Sequence, residues 1–89
     1  MLRIEFGGAF KKDFKKATKL PITEIVEIGH VIKKLQLQEP LAAKYSDHDL
    51  IGNWLGFRDC HIKPDLVLIY KIQGESLLLA RIGSHGELF

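Results

Sequence analysis

Five side chains in the second half of the sequence could take part in acid–base chemistry. They are three imidazoles and two carboxylates: His48, Asp59, His61, Asp65 and His85. Imidazole gains and loses a proton near neutral pH, so a few histidines can supply both the general acid and the general base of one reaction. All but the last lie in the segment 44–70, which also holds the single Trp and the single Cys. We predict that this segment forms the centre of a catalytic site.

The elements that would position these residues can be predicted from hydrophobic spacing. Leu2, Ile4 and Phe6 alternate with other residues, which is typical of a strand. Two helices follow, the first with apolar residues at 10, 14 and 17 and the second at 25, 28, 32 and 35, and Pro40 ends the second. The segment 40–52 has no strong period, so we predict a long loop with at most a short strand. Three strands separated by turn residues are then predicted at 56–63, 66–72 and 77–82.

This order of elements predicts an α+β fold in a small single domain that spans residues 1–89. The predicted arrangement is β-α-α-β-β-β(-β), an antiparallel sheet with a hairpin of two helices covering one face. A chain of 89 residues is too short to build a second core. With 46% hydrophobic and 27% charged residues, its composition is typical of a folded protein and excludes general disorder.

Charge and cysteine content indicate the surroundings in which the protein works. The formal net charge is only +2, but residues 10–20 hold five lysines against one aspartate. This basic strip could attract RNA or DNA, or it could simply be a solvated helix face. One cysteine cannot form an internal disulfide, and we find no apolar segment typical of a signal peptide or a membrane span. We therefore expect a cytoplasmic location and no membrane partner.

Alternation along the predicted strands places most of the candidate residues on one face of the sheet. In the first of the three strands, Asp59 and His61 share a face, whereas Arg58 lies on the other face, beside the helices, and is expected to form a structural ion pair. In the last strand, Arg81 shares a face with His85 if the strand runs that far. The four residues other than Arg58 are thus predicted to line an open face. A single β-bulge would invert this assignment.

Four sequence segments resemble the YafQ branch of the RelE/ParE toxin superfamily. They are DHDL at 47–50, GNWLGFRDCHIKPD at 52–65, LVLIYKI at 66–72 and RIGSHGELF at 81–89. The resemblance covers nearly the whole chain and is most specific in RDCHIKPD and in the pattern GSHxxLF. It implies a RelE-like fold with a curved sheet and a small bacterial toxin of a type II toxin–antitoxin pair. Such toxins cleave mRNA, typically at the ribosome, and a co-expressed antitoxin silences them.

The resemblance also implies roles for individual residues. The matching positions are His48, His61, Asp65 and His85 for the catalytic set, with Asp59 and Phe89 beside them for substrate binding. The chain departs from the family pattern at two places. Leu66 stands where some relatives carry tryptophan, so any contribution of that ring is lost. Asp49 replaces a proline that often follows the first histidine, which would loosen the loop that presents His48.

Residues of this kind could cleave RNA without a metal ion or any other cofactor. The 2′-OH attacks the adjacent phosphorus while a base takes its proton, an acid protonates the leaving 5′-oxygen, and a cation stabilises the phosphorane. We expect His85 to be the acid and either His48 or His61 to be the base. Asp65 would orient a histidine or raise its pKa, and Arg81 would bind the phosphate.

Simpler structural roles and other functions are alternatives for the same residues. Asp65 could do no more than form local hydrogen bonds in its turn. Phe89 could cover the edge of the core instead of stacking on a base, and Trp54 could be a packing anchor instead of a stacking surface for a base. The histidines and Asp65 could bind zinc or manganese in a metal-dependent nuclease, although their spacing forms no compact metal motif. The chain could also inhibit DNA gyrase without catalysis, as ParE-like toxins do, or bind only an antitoxin. The set of histidines favours cleavage over these alternatives.

Overall fold

Five strands and three helices make up the computed structural model, which describes all 89 residues. The strands are β1 (Arg3–Phe6), β2 (His48–Asp49), β3 (Arg58–Lys63), β4 (Leu66–Gln73) and β5 (Ser76–Gly83), and the helices are α1 (Gly8–Ala17), α2 (Ile22–Gln36) and α3 (His85–Leu88). A short 3₁₀ turn, Ala43–Tyr45, lies in the predicted loop, and a second, Gly52–Trp54, begins at the end of that loop. The predicted α+β order is confirmed, with α3 as an addition. None of the helices is long and apolar enough to cross a membrane.

The sheet has the strand order β1-β5-β4-β3-β2, and one of its pairings differs from the prediction. The sheet was expected to be antiparallel, but β1 runs parallel to β5, with Arg3 opposite Ser76 and Phe6 opposite Leu79. All other neighbours are antiparallel. The sheet is therefore mixed. Short turns force antiparallel pairing only between consecutive strands, whereas β1 is separated from β5 by most of the chain and is free to take either direction.

Helices α1 and α2 pack on one face of the sheet and form the main core with it. Phe10 of α1 and Ile28 and Leu35 of α2 are buried, as their predicted apolar spacing requires, and Val31, which the predicted spacing left out, is buried as well. They contact a sheet face that includes Cys60 and Tyr70. Burial of a large apolar side chain contributes about 1.5–3 kcal/mol. This core is the rigid support behind the strands that carry the candidate site.

The opposite face of the sheet is partly covered, whereas the prediction left it open. Val67 and Ile69 of β4 are completely buried there beneath Leu88 of α3, and Trp54 and Phe57 pack beside them. Strand β5 ends at Gly83, close to its predicted end, and does not run as far as His85, which begins a helix. The helix begins at this point because Ser84, which directly follows the strand, caps it.

A β-bulge interrupts the pairing of β4 with β5 and breaks the alternation predicted for the last strand. Tyr70 lies opposite Leu79, but the next residue back, Ile69, lies opposite Arg81, so Ala80 is the extra residue. Leu79 and Arg81 therefore cannot be assigned to one face by counting in twos. In β3 no such break separates Asp59 from His61, and their shared face is confirmed.

Candidate active site

His48 and Asp59 face each other across the two-residue ladder of β2 with β3. The Nε2 atom of His48 lies 3.1 Å from Oδ1 of Asp59, and its Nδ1 atom lies 2.6 Å from the carbonyl oxygen of Ser46. A carbonyl oxygen can only accept, so Nδ1 must carry a hydrogen. Nε2 then lies within ion-pair distance of the Asp59 carboxylate. The two nitrogens of the ring are thus directed at a backbone carbonyl and at a buried carboxylate.

Asp59 is the buried charged group of the protein, and its carboxylate lies against the imidazole of His48. Only 3% of the residue is exposed, and its Oδ1 atom receives no well-aligned hydrogen bond despite the short distance to His48. Burial raises the pKa of Asp59, while the positive charges of His48, His61 and His85 act in the opposite direction. The predicted substrate-binding residue thus lies behind an imidazole and is not itself at the surface.

His61 lies beside His48 on the edge of a cleft. The two imidazole rings have centroids 6.3 Å apart, and the ring of His61 follows Asp59 by two residues along β3. The cleft has a volume of about 450 Å³ and includes Ser46 and the lysines at 44 and 63 in its lining. Lys63 is paired with Glu27 at 2.8 Å. His61 is therefore accessible from a polar, lysine-containing side of the site.

The third histidine is positioned by the short helix α3 and by the turn between β3 and β4. The backbone N–H of His85 donates to Oδ1 of Asp65 at 3.2 Å, and the rings of His85 and Phe89 lie 4.8 Å apart. Ser84 caps the helix, since its side chain accepts from the backbone of Glu87 while the Glu87 carboxylate accepts from the backbone of Ser84. Asp65 thus holds a histidine through its backbone, and half-exposed Phe89 presents a face to solvent.

Arg81 is engaged by a carboxylate of α1 and does not lie free beside the imidazoles. Its Nε and Nη2 atoms donate to Asp13 at 2.6 and 3.0 Å, and the backbone N–H of Ile82 donates to the same carboxylate at 3.1 Å. Burial acts to raise the pKa of Asp13, but these hydrogen bonds outweigh it and lower the pKa overall. A guanidinium has five N–H donors, so Arg81 keeps donors that a phosphate could use.

Sequence reasoning missed a polar cluster on the helix side of β2 and β3. Arg58 donates to Asp49 at 2.6 Å and, at 3.3 Å, to both Asp47 and the hydroxyl of Tyr70. The Tyr70 hydroxyl in turn donates to Asp47. The structural ion pair predicted for Arg58 is thus present, and Asp49, predicted to loosen the loop, is tied to it. The signal in the sequence was the pair of aspartates on either side of His48.

The lysine strip predicted in α1 lies at the surface. Its members are Lys11, Lys12, Lys15, Lys16 and Lys19, all of which are exposed. Of these only Lys16 approaches a carboxylate, at 4.0 Å from Glu87. His30 is exposed on α2. No group of three His, Cys, Asp or Glu side chains is placed to hold a metal ion.

Comparison with known proteins gives consistent matches over the whole chain. A family model described as a bacterial toxin of type II toxin–antitoxin system, YafQ, matches residues 2–89. The mRNA interferase toxin YafQ of Escherichia coli is 39% identical over 87 residues, which cover 97% of this chain and 94% of that protein. The matched region is thus nearly the whole chain.

Two solved structures extend the comparison to the arrangement of the elements. The crystal structure of a copper-bound mutant toxin from Helicobacter pylori superposes with a TM-score of 0.91 at 41% identity, and each chain is covered in full. The toxin in the crystal structure of the Escherichia coli DinJ–YafQ complex superposes with a TM-score of 0.85 at 37% identity, covering 100% of this chain and 99% of that one.

Proposed function

We propose that this chain, which belongs to the YafQ family of bacterial type II toxins, is a metal-independent endoribonuclease that cleaves mRNA. The observation that carries the proposal is the imidazole of His48 against the buried carboxylate of Asp59, with the ring of His61 beside it at the edge of a cleft. Together with His85, these imidazoles can hold and move the two protons that RNA cleavage requires.

Each histidine has a separate part in the proposed reaction. His61 accepts the proton of the 2′-OH as that oxygen bonds to the adjacent phosphorus. The bond from phosphorus to the 5′-oxygen breaks, and His85 gives that oxygen a proton, which leaves a 2′,3′-cyclic phosphate and a 5′-hydroxyl. His48, already facing Asp59 with one nitrogen and Ser46 with the other, is less suited to be the base, and its part is to stabilise the charge that develops on the phosphorane.

The remaining site residues bind or orient in this proposal. Asp65 fixes the start of α3 through the backbone of His85, and Phe89 stacks on a base of the RNA beside the His85 ring. Arg81 contacts a phosphate with the N–H groups that Asp13 leaves free. Asp59 acts on the substrate only through His48.

The partners we propose are an antitoxin, mRNA and the ribosome. The related Escherichia coli toxin was solved in complex with DinJ, and family membership supports a cognate antitoxin for this chain. An antitoxin segment rich in acidic and apolar residues would neutralise the lysines of α1 and cover the site. We also propose that residues 1–89 act as one domain and that the protein works in the cytoplasm.

The proposal is tested by incubating the protein with RNA, with and without ribosomes and EDTA, and mapping the new ends. His61→Ala and His85→Ala should each reduce the cleavage rate by roughly 10²–10⁴-fold, since each removes a positioned proton carrier. His30→Ala is the matched control because it removes an exposed histidine of α2, and it should cleave at the normal rate. Near-normal cleavage by His85→Ala, or loss of activity in EDTA, would contradict the mechanism.

The lysine strip is tested separately through the salt dependence of RNA binding. Each phosphate contact releases counterions, so affinity should fall steeply as salt rises. Changing Lys12 and Lys15 to glutamine should make that fall less steep by about one unit of slope for each lysine. The same change at Lys33, on α2, is the control. An unchanged slope in the α1 variant would exclude this strip from the RNA interface.

A further inference from the structure

The loop that carries His48 has little regular structure to hold it. Strand β2 contains only His48 and Asp49, and it is the outermost strand of the sheet. Ser46, just before it, has the left-handed backbone conformation with φ 48°, which is uncommon for residues other than glycine. Both β2 residues are exposed. A two-residue edge strand cannot by itself keep an imidazole at 3.1 Å from a buried carboxylate.

The two neighbours of His48 along the chain are anchored to one guanidinium. Arg58 donates to Asp49 through Nη1 and to Asp47 through Nε, and the hydroxyl of Tyr70 donates to Asp47 as well. Tyr70 is 1% exposed and belongs to the main core. Burial, together with the hydrogen bond to Asp47, raises the pKa of Tyr70, so its hydroxyl stays protonated and remains a donor. The loop is thereby connected to the buried main core of the protein.

The geometry of an extended segment then determines where the imidazole goes. Side chains at 47 and 49 point to the side opposite that of the side chain at 48, and Arg58 is likewise opposite to its neighbour Asp59. The ladder pairs Asp49 with Arg58 and His48 with Asp59. Fixing both aspartates to Arg58 on one side therefore brings the imidazole against Asp59 on the other side.

We propose that Arg58, with Asp47 and Tyr70, is a positioning residue for His48. These three side chains do not contact the substrate; they hold the loop in the register that places the imidazole between Ser46 and Asp59. The expected effect on catalysis rests on the proposed function, whereas the position of the His48 ring does not depend on it. Arginine is suited to this role because its planar fork can bond two carboxylates at once.

The test compares two tyrosine variants that each lose one hydroxyl. Tyr70→Phe removes the donor to Asp47, whereas Tyr45→Phe removes the donor of another buried tyrosine, which bonds to Glu27 on α2. Arg58→Gln is the stronger variant. If Arg58→Gln fails to fold, the milder Tyr70→Phe still tests the proposal. The position of the ring is followed by NMR of the free protein, through the ¹⁵N shifts of the His48 imidazole and its contacts to His61.

We expect Tyr70→Phe to remain folded and to lose the His48 Nδ1–H signal that reports the bond to Ser46. Its kcat for RNA cleavage should fall by on the order of 10²-fold, while its affinity for RNA stays unchanged. Tyr45→Phe should keep both the signal and the rate. Unchanged His48 signals in folded Tyr70→Phe, or equal changes in both variants, would overturn the positioning role. Displaced His48 signals with unchanged cleavage would support the positioning role and instead refute the part given to His48 in the proposed reaction.

Discussion

The ion pair of Arg81 with Asp13 gives a prediction in which stability and pH dependence are linked. Asp13→Asn removes the charge of a carboxylate that accepts three hydrogen bonds, two from Arg81 and one from the backbone of Ile82. The Asp13 side chain is 14% exposed and that of Arg81 29%, so neither charge is fully solvated in the folded state. The amide can keep about one of the three bonds and offers no charge to the guanidinium.

The expected loss can be worked from these contacts. A hydrogen bond to a charged group contributes about 1.5–3 kcal/mol, and two are lost. Water can reach Arg81 and replaces part of that, so we expect the free energy of unfolding to fall by about 2 kcal/mol. For a domain of this size one kcal/mol corresponds to about 4–8 °C, which predicts a fall in Tm of about 8–16 °C.

The pH dependence has a definite sign. The folded-state pKa of Asp13 lies below its ordinary value of 3.8, so its stabilising effect is present above that value and is lost as the pH falls through the folded-state pKa. The difference between the wild type and Asp13→Asn should therefore be full at neutral pH and should shrink below pH 3.8. Urea unfolding of both proteins at neutral pH and again below pH 3.8 measures this difference in stability. Lys34→Gln is the control, because it breaks an exposed pair with Glu39 and should change stability little at either pH.

A gap that stays constant down to acid pH would refute the reasoning, because it would show that the charge of Asp13 is not what stabilises the fold. An Asp13→Asn variant as stable as the wild type at neutral pH would refute it more directly. In that case the three short contacts would be replaced by water at no cost.

Three further predictions concern the helix cap, the buried thiol and a close backbone contact. Ser84→Ala should cost about 1 kcal/mol in urea unfolding and reduce RNA cleavage, because it removes the cap of α3; an unchanged rate would show that the cap does not matter for catalysis. Burial raises the pKa of Cys60 to about 12, so a thiol reagent should label it only as fast as the protein unfolds, and fast labelling of the folded state would contradict this. Gly7→Ala should lower Tm because its added Cβ would lie 3.0 Å from the carbonyl oxygen of Leu79. Gly8→Ala is the control and should raise Tm slightly, because no atom lies within 4 Å of its added Cβ. Equal shifts of Tm in the two variants would argue against the contact with Leu79.

The elements and the family could be predicted from the sequence because both depend on local patterns. The apolar spacing of α1 and α2 predicted their buried faces, and the four resembling segments predicted the family that the comparisons confirm. The faces of Asp59 and His61 were also correct, because β3 is regular between these residues. Period-two counting works wherever pairing is uninterrupted.

The errors have physical reasons that lie outside such patterns. Nothing near Arg3 records that its strand will lie parallel to β5, since that direction depends on a route through most of the chain. The bulge at Ala80 and the contact of Arg81 with Asp13 are likewise products of packing between distant segments. Helix α3 is different, because Ser84 and Glu87 form the spacing of a capping box, and this local signal could have revealed it.

The parallel pairing of β1 with β5 bears on how the protein is made. The first strand to leave the ribosome has its only neighbour in Ser76–Gly83, so it must wait for nearly the whole sequence to be translated before it can pair. His85 follows that same strand. A growing chain therefore lacks both its closed sheet and its third imidazole until this late segment has been translated.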